Sequence, residues 1–185
     1  NSTVFGNNSG AAGGGLALTR GTAVLQNSLI AGNKASGAAT EILGGVTIDA
    51  SSKNNFYGHN GVDSNAAFAN FDPGFTGLLA TSEAGGGVAL TSIIKDKLAP
   101  NGGLTLTHAL PSGSYAADEG DNSVCASAAI NNKDQRGATR PQGFKCDIGA
   151  FEYAAPATIT VSDSCSLADA IPSANDNSNS GNTNC

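Results

Sequence analysis

The stretch NSTVFGN at residues 1–7 decides the fold, because it returns twice along the chain. A close copy, NSLIAGN, occupies residues 27–33, and a looser copy, NNFYGHN, occupies residues 54–60, so the spacings are 26 and 27 residues. A fixed period in the twenties is typical of a solenoid. The short alternating runs GLALT, TAVLQ and GVTIDA lie between the copies. They predict strands of about five residues broken by Gly, Ser and Asn turns.

Short strands at this period predict an all-β fold with the coils of a parallel β-helix, in which inward Val, Ile, Leu and Ala side chains stack between coils. Asparagine at the corners tolerates left-handed backbone and can form ladders of side-chain amides between coils, with plain turn chemistry as the alternative. Beyond about residue 61 the repeat fades, and we expect irregular final coils and a lid. There, GLTLTHAL at residues 103–110 alternates through Leu104, Leu106 and His108 and predicts a half-buried strand.

Composition limits the possible partners. The chain has 185 residues, a net charge of −6 and only nine scattered Lys and Arg residues. Binding to nucleic acid or to an anionic membrane needs clustered cations, so neither partner is expected. No apolar run approaches the roughly 18–20 residues that span a bilayer. The sequence starts at Asn1 without Met or a signal peptide. We interpret it as a processed form or as a segment of a longer protein.

Four cysteines lie in the C-terminal third of the chain: Cys125, Cys146, Cys165 and Cys185. None forms a C-x-x-C motif and the chain has only two histidines, so a zinc site is not predicted. Disulfides in an oxidising, extracellular setting are the better interpretation. Of the three possible connectivities, neighbour pairing of Cys125 with Cys146 and of Cys165 with Cys185 is the most local. Each bridge would close a loop of ~21 residues and contribute ~3 kcal/mol.

A long stretch of residues 72–152 is similar to a known family. The motifs that carry the similarity are NGG at 101–103, TH at 107–108, DQRG at 134–137, RP at 140–141 and CDIGAFE at 146–152. They resemble the C-terminal region of bacterial choice-of-anchor Q proteins. The resemblance implies a right-handed parallel β-helix of the pectate-lyase-like superfamily, secreted or on the cell surface.

The tail of the chain resembles the opposite end of the same family. Residues 158–161 alternate (Thr158, Ile159, Thr160, Val161) and predict a strand. After them, Ser166 and Asp169 resemble a capping box for a short helix with Leu167, Ala170 and Ile171 on one apolar face. In the family such a segment opens the β-helix and caps its N-terminal mouth. This chain therefore carries its closing sequence first and an opening sequence last.

The inverted order predicts head-to-tail assembly. We expect residues 1–153 to form the β-helix with its lid, and residues 154–185 to leave it and cap the N-terminal mouth of the next copy, next to Val4 and Phe5. Such a contact is heterologous and builds filaments. One alternative is a single repeat excised from a larger surface protein. The other is self-capping, which we expect to be strained: five to seven coils span ~24–34 Å, and the residues between Glu152 and Thr158 reach only ~20 Å.

The superfamily includes polysaccharide lyases and hydrolases, so catalytic residues have to be considered. The N-terminal coils carry Glu41, Asp49 and Asp63 without coil periodicity, so no catalytic face is predicted. The acidic run ADEGD at residues 117–121 brings together Asp118, Glu119 and Asp121. It could hold Ca²⁺, but a solvated turn is the favoured interpretation.

The densest charges are Asp134, Arg136, Arg140, Asp147 and Glu152. We expect them to form Arg–carboxylate pairs that hold the lid, together with the bridge between Cys125 and Cys146. His108 is expected to be a hydrogen-bonded lid residue, and His59 a turn residue.

The sequence thus predicts a non-enzymatic structural subunit of an extracellular bacterial filament, with no cofactor or metal and with other copies of itself as partners. The alternatives are a carbohydrate-binding or polysaccharide-degrading module, with extracellular polysaccharide as the partner, and one repeat of an adhesin.

Overall fold

The computed structural model describes residues 1–37, 40–58, 67–71, 77–79 and 89–155. The chain divides into two units, Asn1–Tyr153 and Ala154–Cys185, and all described residues except the last two belong to the first unit. In the described part the strands are two or three residues long. They are β1 (Thr3–Phe5), β2 (Asn8–Ser9), β3 (Leu16–Ala17), β4 (Thr22–Ala23), β5 (Leu29–Ala31), β6 (Lys34–Ala35), β7 (Ile42–Leu43), β8 (Thr47–Ile48), β9 (Asn55–Tyr57), β10 (Phe68–Ala69) and β11 (Gly77–Leu79).

These strands form four parallel sheets. The first sheet has the order β1-β5-β9-β11, the second contains β2 and β6, the third has the order β10-β7-β3, and the fourth contains β4 and β8. The chain visits the four sheets in the same order twice, through β1 to β4 and then through β5 to β8. The predicted all-β class is confirmed. The strands are shorter than expected because Asn and Gly corners interrupt them.

The repeat sets the register of the first sheet. Val4, in the first copy of NSTVFGN, pairs with Ile30 in the second copy, and Ile30 pairs with Tyr57 in the third. The three copies are therefore neighbours in one sheet. Asn27 and Asn54, which begin the second and third copies, have φ values of 46° and 51°. The expectation of left-handed asparagine corners is confirmed, since Asn is among the few residues that adopt this region readily.

Both faces of the first sheet are buried, by different partners. In β5, Leu29 and Ala31 point to one face and Ile30 to the other, as expected for successive residues of a strand. The inner core lies on the Ile30 face and consists of Ile30, Ile42, Tyr57, Ala67 and Phe68. The outer core lies on the Leu29 face and consists of Leu29, Ala31, Phe56, Ile93, Ile94, Leu110, Ala116, Ile148 and Phe151. Each large side chain buried here stabilises the fold by about 1.5–3 kcal/mol.

The outer core shows where the C-terminal region lies. Residues 89–153 contain a 3-10 helix (Leu90–Ser92), a short helix α1 (Asn122–Cys125) and two isolated antiparallel bridges, among the described elements. Instead of continuing the parallel pairing as final coils, this region packs across the outer face of the first sheet. Gly32 allows the close approach: its φ is +69°, and a Cβ there would lie 2.8 Å from Leu90 and 2.9 Å from Phe5.

The strand predicted for residues 103–110 is wrong. Leu104 is fully exposed, and the segment makes one bridge, Thr107 with Ala99, instead of a strand. Gly102 and Gly103 have φ values of 82° and 123°, which turn the chain. The Asn101 side chain then closes the loop by donating to the Thr107 carbonyl at 2.9 Å. Alternation of apolar residues therefore marks a loop here.

Candidate functional site

The first four strands all lie at edges of their sheets. In the order of the described strands, β1 and β3 are terminal strands, and β2 and β4 each pair with a single strand. We call these four edge strands together the β1–β4 edge. Edge strands present main-chain donors and acceptors to any strand that can lie alongside them.

Val4 and Phe5, the two predicted interface residues within the described part, lie on β1. Val4 packs against the inner core and Phe5 against the outer core. The Phe5 ring also lies 4.7 Å from the His108 ring. The remaining predicted interface residues lie outside the described residues: Thr158, Ile159, Thr160, Val161, Leu167, Ala170 and Ile171. The predicted contact between the two sets stays a prediction.

A groove follows β1 along this edge. It consists of two cavities of about 250 Å³ and about 460 Å³ that share Thr3, Gln135 and Ala150. The smaller cavity extends to Phe5 and Asn7, and the larger extends to Asn1. The other walls come from the C-terminal region. In the smaller cavity they are Leu98, Leu106, Thr107, His108 and Phe151, and in the larger cavity they are Ala129, Ile130, Lys133, Asp134 and Arg140. We call the whole feature the β1 groove.

The walls of the β1 groove are held by direct hydrogen bonds between the two ends of the first unit. The Ala150 amide donates to Thr3 Oγ1 at 2.9 Å, although the two residues are far apart in sequence. The Gly149 amide donates to the Asn27 carbonyl at 2.8 Å. The end of the first unit therefore lies beside β1. The expectation that several coils separate it from the N-terminal mouth is wrong, and distance does not disfavour self-capping.

Buried ion pairs fix the C-terminal region, as predicted. Arg136 Nε donates to Asp134 Oδ2 at 2.7 Å, and its guanidinium lies 3.6 Å from the centre of the Phe151 ring. Arg140 is fully buried at 2% exposure, with Nε 3.5 Å from Glu152 Oε2. The Arg140 guanidinium also donates to the carbonyls of Asp147 and Gly149, at 3.1 and 2.8 Å. These side chains hold the protein backbone, so the arrangement is structural.

The carboxylates around Arg140 are shifted by their burial. Burial raises the pKa of Asp147, against the backbone hydrogen bonds from Tyr153 and Asp118. Burial also raises the pKa of Glu152, against the hydrogen bonds from the Asp147 and Gln142 amides. Attraction to Arg140 opposes this increase in both pKa values and is the smallest of these effects.

The predicted disulfide between Cys125 and Cys146 is confirmed, with both cysteines buried. It lies against the second copy of the sequence repeat: Asn27 Nδ2 is 3.4 Å from the Cys125 sulfur and 3.5 Å from the Cys146 sulfur. The Asn27 amide group also exchanges hydrogen bonds with the backbone of Asp121, at 2.8 and 3.1 Å. One corner asparagine thus joins the first sheet to the disulfide. Cys165 and Cys185 lie outside the described residues.

The acidic run at residues 117–121 is engaged by protein groups. Asp121 caps helix α1 by accepting from the Ser123 and Val124 amides, and it forms an ion pair with Lys53 at 2.7 Å. The hydrogen bond from Lys53 is the main cause that lowers the pKa of Asp121. Asp118 accepts from the Lys145 amide at 3.0 Å. Among the described residues, no three His, Cys, Asp or Glu side chains are arranged to hold a metal ion.

His108 is hydrogen-bonded, as expected: its Nδ1 lies 2.9 Å from the Lys95 carbonyl. This contact and the Phe5 ring hold the imidazole against the C-terminal region. Asp49 is half-buried and accepts a hydrogen bond from the Ser51 amide. His59 and Asp63 lie outside the described residues.

Glu41 is a buried carboxylate whose environment sequence reasoning missed. It is fully buried and accepts hydrogen bonds from Asn33, at 3.0 Å from the amide and 2.6 Å from the side chain. Asn33 in turn accepts from the Asn7 side chain at 3.0 Å, which confirms an amide ladder between two copies of the repeat. Burial raises the pKa of Glu41 to about 7, against the hydrogen bonds from Asn33. The recurrence of Asn7 and Asn33 was the only signal in the sequence that pointed to this network.

No protein-family model, no curated protein and no solved structure matches the chain significantly. The resemblance to choice-of-anchor Q proteins stays a prediction. Among the described residues, no helix has the length and apolar character needed to cross a membrane.

Proposed function

We propose that the protein is a structural subunit of an extracellular bacterial filament or surface appendage. In this proposal, residues 156–185 of one copy cap the β1–β4 edge of the next. The observation that carries it is that each of the first four strands lies at an edge of its own sheet, in the order of the described strands. A contact between a tail and a different surface of the next copy is heterologous, so it propagates into a filament.

The finer fold in this proposal is a right-handed parallel β-helix. The order in which the chain returns to the same four parallel sheets supports it, as does the pairing of each copy of NSTVFGN with the next copy. Crossovers between parallel strands are right-handed in nearly all proteins. The choice-of-anchor Q resemblance agrees with this arrangement, and the disulfide between Cys125 and Cys146 supports an oxidising location.

A second arrangement has its own supporting observation. Because Ala150 contacts Thr3, the tail could cap the edge of its own copy. The two arrangements are related as a closed monomer and a domain-swapped polymer. The segment AAPA at residues 154–157 would be the hinge. A hinge of only four residues is short, and short hinges invite exchange between copies, so we place the filament first.

Electron microscopy and sedimentation of the full chain, beside a chain that ends at Tyr153, test the proposal. We expect filaments from the full chain and single particles from the shortened one, with matching circular dichroism spectra. A Cys165→Ser/Cys185→Ser variant separates the role of the tail strand from that of the predicted tail bridge. Single particles from both chain lengths would contradict the proposal and make cleavage of acidic polysaccharides, the carbohydrate alternative, the next assay.

A further inference from the structure

We propose that residues 7–18 form a pH-sensitive flap over Glu41, and that the flap opens when the Glu41 carboxyl loses its proton. The flap contains β2 and β3, which are two of the four strands of the β1–β4 edge. The movement takes place within one copy of the chain, so it does not depend on filament formation.

The flap lies against the base of a loop that Glu41 closes. The loop begins at Asn33 and ends at Glu41, and both residues are fully buried. A Cβ on Gly15 would lie 2.8 Å from Asn33 Nδ2 and 2.8 Å from the Glu41 carbonyl oxygen, and one on Gly14 would clash with the Thr40 carbonyl. Glycine main chain therefore covers this contact at close range, and lifting the flap would bring water to it.

One side-chain amide joins the Glu41 carboxylate to the flap. Asn33 Nδ2 donates to Glu41 Oε2 at 2.6 Å and to the Val4 carbonyl at 3.0 Å. Asn33 Oδ1 accepts from the amide and from the side chain of Asn7, both at 3.0 Å. A change in the hydrogen bonding of Glu41 therefore reaches Asn7, where the flap begins.

No charged side chain balances the Glu41 carboxylate from the described elements packed against it. Residues 1–19, which include the flap, contain no Asp, Glu, Lys, Arg or His, and neither do residues 67–71 on the other side. Within the loop itself the sequence has one ionisable residue, Lys34, which is exposed. None of the ion pairs among the described residues includes Glu41. An ionised Glu41 is therefore a buried charge without a counterion, which is costly.

The flap has few other anchors. Gly14 is its one fully buried residue, while Leu16 and Leu18 are half-buried and pack against the inner core. By contrast, β1 is tied to the C-terminal region through the hydrogen bond between Thr3 and Ala150. Segments with few buried contacts open at low cost. The flap can therefore lift while β1 stays in place.

The proton dependence of this opening has a definite sign. Burial raises the pKa of Glu41 from its ordinary value of 4.5 to about 7, against the hydrogen bonds from Asn33. The closed state thus binds the proton more tightly than an open state in which the carboxyl is hydrated. Closure is fully favoured below pH ~4.5, and this advantage is lost as the pH rises through ~7.

Hydrogen–deuterium exchange of the full chain, read by mass spectrometry, tests the flap. The chain is studied at a concentration at which sedimentation shows single copies. After correction for intrinsic exchange rates, we expect the protection of peptides from residues 7–18 to fall about tenfold or more between pH ~5 and pH ~8. Peptides with Phe56 and Gly58 are the internal reference, because their amides bond to Ser28 and Ile30 in the second copy of the repeat.

Two variants match this test. Glu41→Gln cannot ionise, so its flap should keep the same protection across the pH range. Asp49→Asn removes another carboxylate from the repeated region and should behave like the wild type. Circular dichroism establishes that each variant is folded, and the comparison of flap with reference peptides within the wild type needs no variant.

Three results would overturn the proposal. The first is a wild-type flap whose protection stays constant over this pH range. The second is an equal loss of protection in the flap and in the reference peptides, which would mean that the whole region opens. The third is an equal loss in Glu41→Gln and in the wild type, which would assign the pH dependence to another group.

Discussion

Residues 3–57 hold their shape through parallel main-chain pairing between successive copies of the sequence repeat, whereas residues 89–153 are held by a disulfide and buried ion pairs. In the first region each strand is supported by its neighbours, so we expect the loss of one side-chain hydrogen bond to cost little. In the second region a few side chains hold long irregular segments. The stabilising interactions are therefore spread over many residues in the repeats, whereas in the C-terminal region they come from a few side chains.

The largest effect is expected for Arg140→Met. The variant leaves Glu152 and the Asp147 carbonyl buried without their cationic partner. We expect the free energy of unfolding to fall by about 3–5 kcal/mol, measured by urea denaturation. Lys145→Ala is the control, because its pair with Glu119 is exposed and 3.9 Å long. That variant should change stability by less than about 1 kcal/mol. Equal losses in the two variants would contradict the view that a few buried side chains hold the C-terminal region.

Removal of the disulfide is the next largest change. We expect Cys125→Ala/Cys146→Ala to lower the free energy of unfolding by about 3 kcal/mol, since the bridge closes a loop between residues 21 apart. Denaturation curves of the oxidised wild type and the variant measure the loss. A loss below about 1 kcal/mol would show that the ion pairs hold the region without the bridge.

A pH experiment on Glu41 tests the contribution of one buried carboxylate in the repeated region. Burial raises its pKa from an ordinary value of 4.5 to about 7, so the folded state holds the proton more tightly than the unfolded chain does. Stability from this group is fully present below pH ~4.5 and is lost as the pH rises through ~7, an effect of about 3 kcal/mol. We expect Glu41→Gln to remove this part of the pH dependence, measured as the difference between variant and wild type from pH 4 to 8.

Asp147 and Glu152 also have raised pKa values, so they change stability with pH in the same direction as Glu41. Their contribution is the same in Glu41→Gln and in the wild type, and it cancels when one pH profile is subtracted from the other. Parallel profiles for Glu41→Gln and wild type would show that Glu41 titrates in the folded protein as it does in the unfolded chain.

The smallest effect is expected for Asn7→Ala. This variant loses the side-chain bond to Asn33 and keeps the Asn7 amide bond to the same oxygen. We expect a loss of about 0.5–1 kcal/mol in the free energy of unfolding. Asn8→Ala, an exposed neighbour, is the control and should be nearly neutral. A loss above about 3 kcal/mol would mean that the repeats also depend on single contacts.

Much of the repeated region could be predicted from the sequence, because its period determines its register. The pairing of Val4, Ile30 and Tyr57 follows from the spacing of the three copies. The disulfide and the Arg–carboxylate pairs were also predictable, since neighbouring cysteines and dense opposite charges have few other partners.

The position of the C-terminal region could not be predicted. It depends on contacts such as Ala150 with Thr3, which are far apart in sequence and leave no periodic pattern. The exposed Leu104 shows the same limit: alternation predicted a strand, but Gly102 and Gly103 turned the chain. The burial of Glu41 depends on how the parallel strands pack together, which a lone carboxylate in the sequence does not reveal.

The two-sided burial of the first sheet has a consequence for biogenesis. Leu29 and Phe56 are made early, but the residues that cover them include Ile148 and Phe151, close to the end of the first unit. This apolar face of the sheet is covered only in part by Ile93, Ile94 and Leu110, and its cover is complete only when nearly all of that unit has left the ribosome. Contacts this distant in sequence slow folding, and exposed apolar surface during the delay invites aggregation. The chain should therefore depend on a chaperone during its synthesis.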